Sequence, residues 1–188
     1  MKYELNEFKE ISLENQRLRK MLDIKERGEF DFIAAGVIGK DPTNWLNSLI
    51  IDKGSDAGIR INMPVMSLSG LIGKVIECGP RMSKILLISD VNSRVVVLLQ
   101  RTRQEGMLEG AEQGLCRLKY LPIDADVELG DTVISAGVGG VYPKGVIIGK
   151  VESVKVERGG LYKSCIVKPS ADLNGIEEVL CIKSDSKN

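Results

Sequence analysis

Residues able to carry chemistry are sparse in this chain, and their spacing argues against catalysis. There is no histidine among its 188 residues, which removes the commonest general base, zinc ligand and pH switch. Serines and aspartates therefore cannot assemble a Ser-His-Asp triad. The Ser83/Lys84 pair is a poor dyad, because adjacent residues on a strand point to opposite faces. Gly137-Val-Gly-Gly resembles a phosphate loop only in its glycines: it lacks the Gly-Lys-Ser/Thr ending and leads into a strand instead of a helix. Asp124, Asp126 and Glu128 alternate as a one-faced acidic patch. They could hold a cation weakly or form a solvated loop before Gly130-Asp131. Cys78, Cys116, Cys165 and Cys181 lack metal-type spacing. Each lies in or beside an apolar run, as buried strand thiols do. Outside the cytoplasm, Cys165–Cys181 is the first pair to test for a disulfide. No catalytic, metal or cofactor site follows from these residues.

The bulk properties narrow the class further. Hydrophobic residues at 43% and charged residues at 28% fit a folded protein. The formal net charge is zero, so no long-range basic field attracts nucleic acid or an anionic membrane. No apolar run approaches the ~18 residues of a membrane span. The opening residues, MKYELNEF, are polar and helical, unlike a secretory leader.

Residues 2–27 read as a helix stopped by Gly28. Phe8, Ile11, Asn15, Leu18 and Leu22 alternate spacings of three and four, the seam of a coiled coil. Asn15 falls at a core position where a polar residue sets register and favours two parallel strands. The expectation is a homodimer through this seam; the alternative is an amphipathic helix packed on its own domain.

From Phe32 the period changes to two. Short apolar runs are expected as strands at 32–38, 46–51, 65–68, 71–78, 84–88 and 94–99. A second set is expected at 106–109, 115–121, 132–135, 146–156, 161–167 and 178–183, all punctuated by glycine and polar turn residues. The phrase Asn62–Val75, NMPVMSLSGLIGKV, returns in longer form as Gly130–Val151, GDTVISAGVGGVYPKGVIIGKV. Ser83-Lys-Ile-Leu-Leu-Ile-Ser-Asp likewise aligns with Lys163-Ser-Cys-Ile-Val-Lys-Pro-Ser-Ala-Asp, each just before a last strand. Such recurrence in the same order predicts an internal duplication. The expected fold is mainly β: a coiled-coil helix over 1–29, a six-stranded barrel over 30–103 and its copy over 104–188. Whether strands are exchanged between the copies, or one barrel is inserted in the other, stays open. Trp45, beside Pro42, and the loop tip Val141, Tyr142 and Pro143 are candidate partner contacts, or fold back on their own barrels. Arg101-Thr-Arg103 reads as a basic linker, exposed or paired with Glu105.

Taken together, the motifs resemble the MreC family of cell-shape-determining proteins. They are Leu13-Glu-Asn-Gln-Arg-Leu, Asp41-Pro-Thr-Asn-Trp, Ile51-Asp-Lys-Gly, Gly79-Pro-x-x-Ser, Ile88-Ser-Asp-x-x-Ser and Arg101-Thr-Arg-x-x-Gly. Tyr120-Leu-Pro-x-Asp-Ala-Asp, Gly130-Asp-x-Val, Gly139-Gly-Val-Tyr-Pro-Lys-Gly and Pro169-x-Ala-Asp continue the series in the second half. The resemblance implies a bitopic protein with a short cytoplasmic tail, one membrane helix, a coiled coil and two extracytoplasmic barrels. Those barrels are similar to chymotrypsin-like ones without catalytic residues. The implied role is a non-catalytic scaffold of cell elongation. Its implied partners are MreD, MreB, RodA, a class B penicillin-binding transpeptidase and further copies of itself. No nucleic acid or small-molecule substrate is implied. The membrane helix is not within these residues, so the chain reads as the extracytoplasmic fragment. The competing classes are a His-free hydrolase on two barrels and a cell-wall glycan-binding module.

Overall fold

A computed structural model describes residues 10–21, 31–41 and 46–183. Residues 10–21 form a helix, α1. Twelve strands follow, in two sets. The first six are β1 (Phe32–Lys40), β2 (Ser48–Ile51), β3 (Pro64–Ser67), β4 (Gly70–Cys78), β5 (Ser83–Leu87) and β6 (Arg94–Leu99). The second six are β7 (Glu105–Gly110), β8 (Cys116–Pro122), β9 (Thr132–Ser135), β10 (Ile147–Val156), β11 (Tyr162–Pro169) and β12 (Glu178–Ile182). They close into two antiparallel barrels, β1-β12-β3-β4-β5-β2 and β10-β11-β8-β7-β6-β9. Period-two patterning explains the interiors. On β8, for example, Cys116 and Leu118 are buried while Arg117 between them is exposed.

The barrels repeat one plan, pairing for pairing. The first barrel pairs β1 with β2, β2 with β5, β5 with β4, β4 with β3, β3 with β12 and β12 with β1. Substituting β7 to β11 for β1 to β5, and β6 for β12, gives every pairing of the second. The sixth strand of each run of six has thus changed places. A cut at residue 103 is therefore redrawn: Arg94–Leu99 belongs to the second barrel and Glu178–Ile182 closes the first. Equivalently, the second barrel is inserted between β5 and β12. The second barrel is thus the contiguous run β6–β11, while the first needs a strand delivered from beyond it, which ties the two together.

The duplication reaches single residues. Lys74 pairs with Leu86 and Lys150 with Lys168, and the register slips just past Val75 in one copy and just past Val151 in the other. These are β-bulges at equivalent positions, which bend a strand around a small barrel. Gly73 and Gly149 precede them, and a Cβ at either would run into the carbonyl oxygen of Leu86 or Lys168. The turn before β3 places Asn62 at φ 67°, and the turn before β9 places Gly130 at φ 86°. Each donates its N–H at 2.8 Å, to the Val75 and Val151 carbonyls respectively. Asp90 and Asp172 each accept the backbone N–H two residues on, at 2.7 and 3.1 Å.

One apolar core runs through both barrels, including Ile51, Val65 and Ile72 of the first and Leu118, Val133 and Ile148 of the second. The barrels meet where Gly70, opening β4, lies against the Ile147 carbonyl that opens β10.

Candidate functional site

The α1 helix is held to the first barrel by one face. Met21 is buried with Phe32 and Leu180, and Met66 packs against them. One turn earlier, Arg17 Nη2 lies 2.6 Å from Glu177 and its Nε 3.2 Å from Glu178, at the start of β12. Ile11 (55% exposed) and Leu18 (45%) point elsewhere, and Asn15 Oδ1 accepts from Arg19 Nε at 3.0 Å. At 100° per residue, the seam of 11, 15 and 18 is turned by about 100° from the face bearing Arg17 and Met21. The helix can therefore hold its barrel and present its seam at once. Phe8 and Leu22 of the expected seam lie outside the described residues, as does Trp45.

In the loop between β9 and β10, Tyr142 takes the fold-back alternative. Tyr142 is not a tip contact: it is buried in the core, and burial raises its hydroxyl above the usual phenol range. Val141 and Pro143 keep partial exposure. Pro143 offers its carbonyl to Ser135 Oγ, and Val146 N–H donates back to the same oxygen at 2.9 Å. The Gly137–Gly140 segment leads into β10 and opens no helix, as its sequence indicates.

Arg101 is neither free nor paired with Glu105. Its Nε and Nη2 donate to the two carboxylate oxygens of Asp131 at 2.9 and 3.0 Å, and Nη1 reaches Asp126. Glu128 lies 3.7 Å away. The acidic run thus has a guanidinium as its counter-ion. The hydrogen bond from Arg101 holds the Asp131 and Asp126 carboxyls below their usual range, and these bonds in turn raise the guanidinium. Sequence reasoning missed the pairing because Asp126 and Asp131 lie 25 and 30 residues beyond Arg101.

The remaining chemical candidates are separated by the fold. Ser83 is buried and its Oγ contacts Cys78 Sγ at 3.5 Å. Lys84 turns outward to Asp41 at 2.6 Å, and this hydrogen bond raises its ammonium. A Ser–Lys dyad at 83/84 is therefore excluded by geometry. All four cysteines are free. Cys165 lies on β11 of the second barrel and Cys181 on β12 of the first, so the first pair to test forms no disulfide. Burial pushes the thiols of Cys116 and Cys181 up to about 12 and that of Cys165 to about 11. Among the described residues, no cluster of cysteines or carboxylates could hold a metal.

One surface feature went unread in the sequence. On β8 and β11 the register steps from Lys163↔Leu121 to Cys165↔Leu118, so Lys119 and Tyr120 together face Ser164. At this bulge Tyr120 takes φ 63°, and its ring meets that of Tyr162 edge-on with centroids 6.2 Å apart. Both rings remain open to solvent, at 59% and 48% exposure.

Set beside known proteins, residues 37–183 match the family model described as rod shape-determining protein MreC, barrel core. The chain belongs to the MreC family. It is 35% identical to the cell shape-determining protein MreC of Listeria monocytogenes over 97% of its own length and 64% of that protein's. The chain thus spans just under two thirds of this curated relative. A solved MreC structure superposes with a TM-score of 0.84 at 28% identity, covering 92% of this chain and 99% of the other. The MreC chain in a complex with penicillin-binding protein PBP2 from Helicobacter pylori has a TM-score of 0.66 at 16% identity. It covers 81% of this chain and 97% of its own, and shows likeness of fold alone. No helix among the described residues is long and apolar enough to cross a membrane.

Proposed function

We propose that this chain is the extracytoplasmic part of a non-catalytic scaffold for bacterial cell elongation. It self-associates and organises membrane-bound peptidoglycan-synthesis proteins, so maintaining rod shape. The observation that carries this reading is the family match over residues 37–183. The α1 seam supports self-association, because its apolar positions Ile11 and Leu18 face away from the barrel that holds the helix. The seam joins two copies, and the rigid double barrel presents β surfaces to partners. By family likeness those partners are MreD, MreB, RodA and a class B penicillin-binding transpeptidase. Recruitment of the transpeptidase draws support from the Helicobacter pylori relative, whose structure is a complex with PBP2. The full-length protein sits at the membrane with these barrels outside. Depleting it should make growing rods widen and round up, and a barrel-less version should not restore them. Rods of normal width under full depletion would sink the proposal.

A further inference from the structure

We infer that the outer face of β8, β10 and β11 docks a partner protein whose surface carries carboxylates around an apolar recess, with Tyr120 and Tyr162 as the anchors. The inference rests on the scaffold reading above and names the surface that does the recruiting.

Two independent observations meet on this face. The first is the tyrosine pair. A bulky residue at positive φ is rare and costs local stability, yet here it adds nothing to the core: Tyr120 is more exposed than Tyr162 beside it. The bulge turns an aromatic ring outward, away from the core, where its one ring partner is Tyr162 on the neighbouring β11. Leu161, 72% exposed in the adjoining hairpin, extends the apolar area.

The second observation is charge. Alternation places Lys155, opposite Ser164, and Lys150, opposite Lys168, on the outer side of β10. Arg117 lies opposite Ile166 on β8, and Lys119 follows at the bulge. Glu109, 2.7 Å from Lys119, and Glu152, 3.8 Å from Lys168, oppose these cations, and Glu157 lies beside Tyr162, its N–H donating to the Tyr162 carbonyl at 2.9 Å. Lys150 and Lys155 close no ion pair among the described residues. A chain of zero net charge has therefore gathered a local cationic excess around two exposed aromatic rings.

That combination selects the occupant. Two copies meeting through this face would bring like charges together, which disfavours a symmetric homotypic contact. An edge-to-face pair offers a ridge and no flat platform for stacking sugar rings. Tyrosine ridges ringed by cations suit a protein recess with acidic walls: the aromatic anchors supply affinity, and the charges supply orientation and rate.

The test uses the whole 188-residue chain and the purified extracytoplasmic part of the same cell's class B transpeptidase. Calorimetry at about 50 mM and about 300 mM salt would expose the screening of the charged rim. The expected result is measurable binding that weakens with salt. Tyr120→Gly combined with Tyr162→Ala should weaken it at least ~10-fold, and Lys155→Glu should weaken it several-fold and reduce the salt dependence. Glycine suits the backbone at position 120, so the unfolding midpoint should not fall, and Tyr162→Phe should retain binding. Full affinity in the double variant would overturn this surface while leaving recruitment intact. No binding by the unaltered chain at about 50 µM, equivalent to about −6 kcal/mol, would overturn recruitment and this surface together. If the double variant instead lost self-association in sedimentation, or if tyrosine-independent binding of a teichoic acid accounted for the cationic face, the assignment would also fall.

Discussion

The two barrels share a strand plan, their bulges and their turn geometry, yet they carry different attachments. The first holds the helix through Arg17 and Met21 at β12, and so sets where a second copy would sit. Among the described residues the second has no such strut; it turns a tyrosine pair outward at a bulge and locks its turn before β9 with an ion pair. The contrast is sharpest at matched positions. Met63 and Asp131 each offer the carbonyl that accepts Val75 or Val151 N–H, at 2.9 and 3.0 Å, yet only Asp131 adds a carboxylate gripped by Arg101. Duplication kept what closes a barrel and left the rest to diverge.

The strongest way to probe that shared plan is to add one methyl group where both copies forbid it. Gly73→Ala and Gly149→Ala should each cost about 3 kcal/mol, because the new Cβ meets a neighbouring strand's carbonyl. The core is continuous, so either change should unfold both barrels together in a denaturant titration. Separate transitions would show that the barrels stand independently.

The attachments can be removed one at a time. Met21→Ala should loosen the helix at a cost of about 2 kcal/mol, seen as faster amide exchange across residues 10–21 with the barrel strands unchanged. Ile11→Lys with Leu18→Lys leaves Met21 and Arg17 in place. It should convert a dimer into a monomer in sedimentation equilibrium without shifting the barrels' unfolding midpoint. A persisting dimer would place self-association on the barrels.

The ion pair separates the turns by pH. Arg101 holds Asp131 and Asp126 below their usual carboxyl range, so their contribution is present above the unfolded value of about 3.9 and is lost as pH falls through the depressed folded values. Amide protection factors in the turn before β9 should therefore fall in acid more than those in the turn before β3. Arg101→Gln should abolish most of this difference.

Exchanging the turn residues should give the smallest effect. Asn62→Gly relieves a left-handed backbone and should add about 0.5 kcal/mol, whereas Gly130→Ala should cost about 1 kcal/mol. Equal effects at the two sites would mean that their turns differ in more than the residue at positive φ.

The sequence by itself determined the twelve strands and their order to within a few residues at the ends, because apolar alternation and turn residues act locally. It also made the duplication legible, since the phrases around Gly73 and Gly149 answer to the same close approach of a neighbouring strand. Tertiary structure alone decided which sixth strand closes which barrel. β6 and β12 are both largely buried, so their patterns carry no address, and β12 finds its partners β1 and β3 far back along the chain. The same distance hid Arg17 from Glu177 and Glu178 and Arg101 from Asp131. The outward turn of Tyr120 depends on one extra residue in the β8 register, which no local pattern announces. Surfaces that unite remote segments, unlike the helix seam legible in its heptad spacing, are set by the closed topology.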